Sequence, residues 1–427
     1  MLTSQGSIQV SLFGLLASVY GYAPSVLNIF APPIKSADDP GGSRKSGGKI
    51  MYAGIAEGAK ALGLDPKGLE AAGRAIEREM AAGVIPGAVL AVTRHGKEWV
   101  YAAGSANPGS DHPLPAGPDV LYDCASLTKV SVTLPLVLGL IDDGVLTLGT
   151  KVAAWIPEFT GEGREEVTIG QLLTHTSGLP ADRNIHAHGW TQPQMWEAVT
   201  GVALQYPPGT AAVYSDLGFL LLGRIVEKAA GMPLDQAAKA RIWEPLGMAG
   251  AVFAPPAGLR ALTAPTEYDH AAGGHLQGVV HDEKARALGG VCGHAGLFAT
   301  AGDLARYARM WLAGGAVPEP TAPGGQPQRV LSAAAVRAAT RTHTAGIAGA
   351  NRGLGWVLKG DRWDASGDWM GPRSYGHTGF TGTSLWVEPD LDLAVVLLTN
   401  RVYYGRSGSV GVLRAAVHNA ITAAVRD

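Results

Sequence analysis

The sequence predicts an α/β fold: an antiparallel sheet assembled from both ends of the chain, flanked by helices, with an inserted mainly helical domain. Three observations point there. Strand-like apolar runs stand near residues 88–102 and return after Ser374. Between them, residues 130–260 carry apolar positions at helical spacing. The chain is 427 residues long, 46% hydrophobic and 16% charged, which is ample for a large core.

The elements follow in order. From Pro66 to Ala82, Leu69, Ala72, Ile76 and Met80 recur on one helical face. Ala88–Thr93 and Trp99–Ala102 read as strands joined by a turn at His95-Gly96-Lys97, hence a hairpin. Ser126 follows a loop and begins a helix that continues into the apolar run Val130–Leu140. Ile169–Pro180 reads as a helix ended by its Gly178-Leu179-Pro180 stop, and Leu217–Val226 as another helix. Gly382–Val387 and Leu393–Thr399 are strands flanking the turn Glu388-Pro389-Asp390, and Val410–Val425 closes the chain as a helix. Residues 51–129 and 285–427 are thus expected to form the α/β part, with 130–284 as the insert and 1–50 as an apolar N-terminal segment with a flexible linker.

Composition narrows the function. There are 34 basic and 36 acidic residues, a net charge of −2, so no polyanion-binding surface is encoded and nucleic acid is not an expected partner. The 59 glycines and 27 prolines fall as turn punctuation, without a fixed-period repeat. The first charged side chain is Lys35, and residues 8–34 are mostly apolar. That stretch resembles a secretory or membrane-anchoring segment, yet it lacks a basic start and is interrupted by Pro24 and Asn28. Membrane association through residues 8–34 and cytoplasmic residence stand level, with a mis-set start or a peripheral helix as other readings. Two cysteines, Cys124 and Cys292, cannot define a disulfide framework.

The chemistry centres on Ser126-Leu127-Thr128-Lys129. Positions three apart share a helix face, so the Lys129 amine would stand beside the Ser126 hydroxyl. A serine needs such a neighbour, because the isolated hydroxyl is a poor nucleophile. Ser46-Gly47-Gly48-Lys49 has the same spacing, but its glycine-rich setting fixes no geometry. Cys124 is a rival nucleophile without a close base in sequence, and reads better as a small buried residue. Acyl transfer also needs a proton shuttle and a cradle for the oxyanion. Tyr214-Ser215-Asp216 offers a phenol near an ammonium, able to act as a general base. His377-Thr378-Gly379 offers a strand that can run close to a substrate, since Gly379 has no side chain. The N–H of Phe380 could then pair with that of Ser126 as the oxyanion hole.

These three ordered motifs resemble those of the penicillin-recognising serine hydrolases, a superfamily that includes class C β-lactamases, D-Ala-D-Ala carboxypeptidases and family VIII carboxylesterases. Leu172–Leu179, Pro208-Gly209-Thr210 and Gly293–Phe298 resemble it too, and the likeness spans roughly residues 65–425. The resemblance implies a serine β-lactamase-like fold, Ser126 as acylated nucleophile, Lys129 as its activating partner and Tyr214 as the proton relay. Asp216, His377, Thr378, Gly379 and Phe380 are the implied substrate-binding residues.

Two departures matter. Asp216 stands where the family usually has asparagine, and an ionised carboxylate accepts hydrogen bonds without donating any. A salt bridge to Lys129 is its expected role. His377 stands where lysine is common, and a neutral imidazole pulls weakly on a substrate carboxylate. Arg401 could supply that charge, but reads better as a solvated strand end. His281-Asp282-Glu283 and His294 lack metal-ligand spacing and read as loop caps, while His175 reads as scaffold. The expectation is a metal- and cofactor-independent serine hydrolase acting on small esters or amides. The alternative is a catalytically weak penicillin-binding or cell-wall peptide-sensing domain.

Overall fold

The computed structural model describes residues 54–110, 113–318 and 328–426. The N-terminal apolar segment and the Ser46–Lys49 copy lie outside the described residues. Among the described residues no helix is long and apolar enough to cross a membrane.

A seven-stranded antiparallel sheet organises the described residues. Its strands are β1 (Gly87–Arg94), β2 (Lys97–Asn107), β3 (Leu114–Pro115), β4 (Val357–Leu358), β5 (Tyr375–Thr378), β6 (Ser384–Glu388) and β7 (Leu393–Thr399), in the order β3-β2-β1-β7-β6-β5-β4. The β1–β7 pair, running from Ala88 opposite Thr399 to Arg94 opposite Leu393, joins the two halves of the sequence. Both of these strands are buried throughout. Their side chains therefore alternate between two apolar layers rather than between core and water. Leu90, Val92, Val395 and Leu397 face the layer built by α1 (Ile55–Leu62), α2 (Pro66–Ala81) and the closing helix Gly411–Ala423. Val89, Ala91, Val396 and Leu398 face the larger layer, which holds the helical middle of the chain and the helix Ala301–Leu312.

Helix α2 starts where the sequence reading put it. Asp65 accepts the Lys67 N–H at 2.9 Å and Pro66 sits in the first turn, where its missing N–H costs nothing. The hairpin turn is tighter than expected. His95 and Gly96 alone make it, both at positive φ (52° and 68°), and β2 already begins at Lys97 opposite Arg94. The helix expected from Ile169 up to the Gly178-Leu179-Pro180 stop is only α3 (Ile169–Leu173). Its exit is set by side chains that offer the backbone other partners: Thr174 Oγ1 reaches the Gly170 carbonyl at 2.9 Å, and His175 turns to φ 58°.

Candidate active site

Ser126 stands at the exit of a constrained turn. Ala125 is held at φ 46°, unusual for a residue with a Cβ. Asp123 pins that turn: its carboxylate accepts the Ala125 N–H at 2.8 Å and the His281 N–H at 2.7 Å. Burial raises the Asp123 carboxyl above its usual range, against the pull of those two N–H groups. The helix after Ser126 opens with Lys129 N–H on the Ser126 carbonyl at 3.1 Å, then widens into a π-type turn over Lys129–Thr133 before regular helix at Leu134–Asp142. Pro135 has no N–H to give the Ser131 carbonyl, which accounts for the switch in register at that point.

Lys129 is fully buried. Its Nζ donates to Ser126 Oγ at 3.1 Å and to the His294 carbonyl at 3.0 Å, and lies 2.8 Å from Asp216 Oδ1. An ammonium has three protons, and these three acceptors compete for them with the neighbouring Tyr214 hydroxyl. Burial opposes the charge, but the Asp216 carboxylate and the Tyr214 phenol outweigh it and hold the lysine pKa above its ordinary value. Burial likewise works against the Asp216 carboxylate, and the charges of Lys129, His294 and Lys284 keep it below the ordinary range.

Tyr214, half-buried, joins this pair. Its ring centroid is 5.0 Å from Lys129 Nζ, 4.6 Å from the His175 ring and 5.8 Å from the His377 ring. The segment Tyr214-Ser215-Asp216 is tied to the loop that leaves α3. Ser215 N–H donates to His175 Nδ1 at 3.1 Å, Ser215 Oγ donates to the Pro180 carbonyl at 2.6 Å, and Asp216 N–H donates to the Ala181 carbonyl at 3.1 Å. Burial, with the nearby Arg352 and Lys129 charges, holds His175 well below its usual pKa, so it stays a neutral acceptor. The scaffold reading of His175 thus acquires a specific content: it seats the tyrosine.

His377 lies within β5, opposite Leu385. Its Nδ1 contacts the Thr378 carbonyl at 2.8 Å and so must donate to it. Burial first, then the Lys129 and Arg352 charges, push His377 down to about 3, so it carries no charge near neutral pH. The turn after Thr378 packs on the turn before Ser126. A side chain on Gly379 would meet Thr383 Oγ1 at 2.1 Å and the Cys124 carbonyl at 2.5 Å. Thr381 and Thr383 hydroxyls donate to the Asp123 and Cys124 carbonyls at 2.7 and 3.0 Å. Among the described residues, neither the Ser126 N–H nor the Phe380 N–H donates to a protein acceptor. The Phe380 side chain is 47% exposed and lies beside His281 and Arg401.

One reading of the sequence changes, one is extended and one is kept. Arg401 is not a solvated strand end. It is buried, its guanidinium sits 4.6 Å from the Phe380 ring centroid, and it donates to the carbonyls of Arg406 and Gly408. Asp282 does cap a helix, Glu283–Ala287, by accepting the Ala285 N–H at 2.8 Å, but it also accepts His294 Nε2 at 2.9 Å beside the lysine. Cys124 is fully buried, and burial drives its thiol far above the ordinary range, which removes it as a nucleophile. Two neighbours went unread in the sequence. Arg352 is buried with its guanidinium carbon 6.0 Å from the Tyr214 ring centroid, and Lys284 contacts Asp216. The aspartate in place of asparagine was the one local sign that a second cation was needed.

The sequence profile of the beta-lactamase family matches residues 72–419. The chain belongs to the beta-lactamase family. It is a serine hydrolase of the penicillin-recognising superfamily, and its sheet-and-helix architecture is the serine β-lactamase fold. It is 31% identical to an N-acetylmuramyl-L-alanine amidase of Bacillus subtilis (strain 168), over 88% of each chain. It is 33% identical to a chain of Escherichia coli (strain K12) provisionally named a D-alanyl-D-alanine carboxypeptidase, over 68% of this hydrolase and 71% of that one. Among solved structures, a class C beta-lactamase superposes with a TM-score of 0.66 at 20% identity, over 85% of this hydrolase and 97% of that chain.

Proposed function

We propose that this hydrolase cleaves an amide of a cell-wall muropeptide through an acyl-enzyme on Ser126, with the N-acetylmuramyl–L-alanine bond as its target. The observation that carries the mechanism is the buried, charged ammonium shared between Ser126, Asp216 and Tyr214. Because Lys129 donates to Ser126 Oγ, the serine proton has to point elsewhere, and because Lys129 is held charged it is no base at rest. Tyr214 is the group beside the pair that can relay the proton, its oxygen accepting from Ser126 Oγ as its own hydroxyl proton moves on toward the leaving nitrogen. Serine Oγ bonds to the substrate carbonyl carbon, the carbonyl oxygen becomes an oxyanion, and the two undonated N–H groups of Ser126 and Phe380 are suited to receive it. Tyr214 passes the proton to the nitrogen, the C–N bond breaks and the amine leaves. Water, deprotonated through the same phenol, attacks the ester and restores Ser126.

The choice of bond rests on the amidase relative, which matches this chain at nearly full length, and on His377. A D-Ala-D-Ala substrate carries a free carboxylate close to the scissile bond, and a neutral imidazole gives it no partner. An amide within a muropeptide makes no such demand. Carboxypeptidase action, as the Escherichia coli relative's name has it, is the second reading.

The test sets N-acetylmuramyl-L-alanyl peptide, a peptide ending in D-Ala-D-Ala and p-nitrophenyl butyrate side by side, with products read by mass spectrometry. Release of the L-alanyl peptide, lost in Ser126→Ala, is the expected result. Release of D-alanine alone supports the second reading. Acylation of Ser126 without turnover of any substrate identifies a sensing domain. A Ser126→Ala variant that keeps more than about a tenth of the rate overturns the mechanism.

A further inference from the structure

Lys129 is not the sole cation buried beside Asp216. Lys284, in the helix Glu283–Ala287, is buried as well, with its Nζ 3.0 Å from Asp182, 3.3 Å from Asp216 and 3.4 Å from Asp282. Asp216 thereby bridges two ammonium groups, Oδ1 toward Lys129 at 2.8 Å and Oδ2 toward Lys284. Asp282 turns its other oxygen to His294 Nε2 at 2.9 Å, and the carbonyl of that same histidine is an acceptor for Lys129. Oxygens of Asp216 and Asp282 and a ring nitrogen of His294 all lie within 4.8 Å of one another, a spacing that could hold a metal ion. The cation standing there is the protein's own Lys284.

We propose that Lys284 is a positioning residue for the Ser126–Lys129 pair: seated between Asp216 and Asp282, it keeps both ionised, so that an anion always faces Lys129. The proposal rests on the reading of Ser126 and Lys129 given above. Two carboxylates this close in a dry site cannot both stay charged without a cation between them, and one would take a proton. A protonated Asp216 is no counter-ion. Lys129 would then be a buried charge with dipoles alone around it, a costly state that it escapes by losing its proton or shifting away from Ser126. The groups facing Asp216 come from every element packed on it. They are Lys129 from the helix after Ser126, Lys284 and Asp282 from the Glu283–Ala287 helix and its cap, and His294 from the 293–298 segment. Asp182, from the loop after Pro180, faces Lys284 itself. Asparagine at position 216 would need no second cation. Asp216 and Lys284 together supply the same net charge as a neutral pair, which accounts for finding an aspartate in this motif.

The test uses the full chain and four variants: Lys284→Met, Lys284→Arg, Asp216→Asn and the double variant Asp216→Asn with Lys284→Met. The readout is the rate at which a fluorophosphonate labels Ser126, followed by intact mass from pH 5 to 9. That readout does not depend on the natural substrate. Lys284→Met is expected to slow labelling about tenfold near pH 6 and to move the acid limb of the profile up by about one pH unit, because Asp216 protonates more readily. Lys284→Arg keeps the charge and the wild-type acid limb. The double variant, with net charge unchanged, labels at least several-fold faster than Asp216→Asn, in which the Lys284 charge loses its Asp216 partner beside Lys129, a rescue that lost packing at position 284 would not show. A wild-type profile in Lys284→Met overturns the proposal, and so does a double variant no faster than Asp216→Asn. Should Lys284→Met fail to fold, the double variant against Asp216→Asn carries the same comparison. Failure of the wild type to label at Ser126 instead overturns the underlying mechanism.

Discussion

Acid should weaken this fold through His377, and the size of the effect follows from where the ring sits. The imidazole is 3% exposed and bonded to the Thr378 carbonyl, with its other nitrogen buried and unpartnered. Burial and the two neighbouring cations carry its pKa from 6.5 to about 3. A folded-state value below the unfolded one means that the unfolded chain accepts a proton the native state refuses. Above pH 6.5 the difference has no effect. Between 6.5 and 3 it removes about 1.4 kcal/mol of stability per pH unit, so roughly 2 kcal/mol by pH 5. His418, buried against the Ala365 carbonyl and pushed by burial to about 4, adds a similar slope. The two together remove about 4 kcal/mol by pH 5, a large share of the 5–15 kcal/mol typical of a whole domain. Urea unfolding of the wild type and His377→Gln at pH 7.5 and pH 5 measures it. The stability difference between the two pH values should be about 2 kcal/mol smaller in the variant, whatever the variant's absolute stability. Equal differences, or a His377 resonance that titrates near its ordinary value in the folded protein, would refute the reasoning.

Two further outcomes bear on the proposed chemistry. Tyr214→Phe keeps the ring against His175 and removes the hydroxyl; acylation and deacylation should both fall by ~10²-fold or more with little change in melting temperature, and normal rates in stopped-flow acylation would move the relay elsewhere. Gly379→Ala drives a methyl into the Thr383 hydroxyl and the Cys124 carbonyl, so the turn must shift away from Ser126. Ester hydrolysis is expected to drop by more than about tenfold, and a fully active variant would show that the turn does not shape the oxyanion site.

What the sequence disclosed was mostly local. The Ser126–Lys129 spacing survives in the structure because three residues of helix fix it whatever surrounds them. The β1–β2 hairpin and the Asp65-Pro66 helix start are equally local, set by turn and cap chemistry. Misjudgements came where a distant partner decides. The α3 helix ends at Thr174, which bonds back to the Gly170 carbonyl, and the turned His175 that follows is held by the Ser215 N–H, 40 residues on. Arg401 is drawn inward by a loop and an aromatic ring that no local pattern shows. Lys284 is the clearest case. Nothing in Glu283-Lys284-Ala285-Arg286 marks that lysine as buried, since its three carboxylate neighbours come from residues 182, 216 and 282.

The central pairing of β1 with β7 has a consequence for how the protein comes into being. A nascent chain that has not yet emerged beyond Leu393 offers β1 no partner on that side, and of the layer over Leu90 and Val92 only α1 and α2 are in place. Contacts spanning some 300 positions are also the slowest to find. The ribosome therefore delivers the hydroxyl and its ammonium long before it delivers the framework that holds them, and hydrolytic competence waits until β7 has been made.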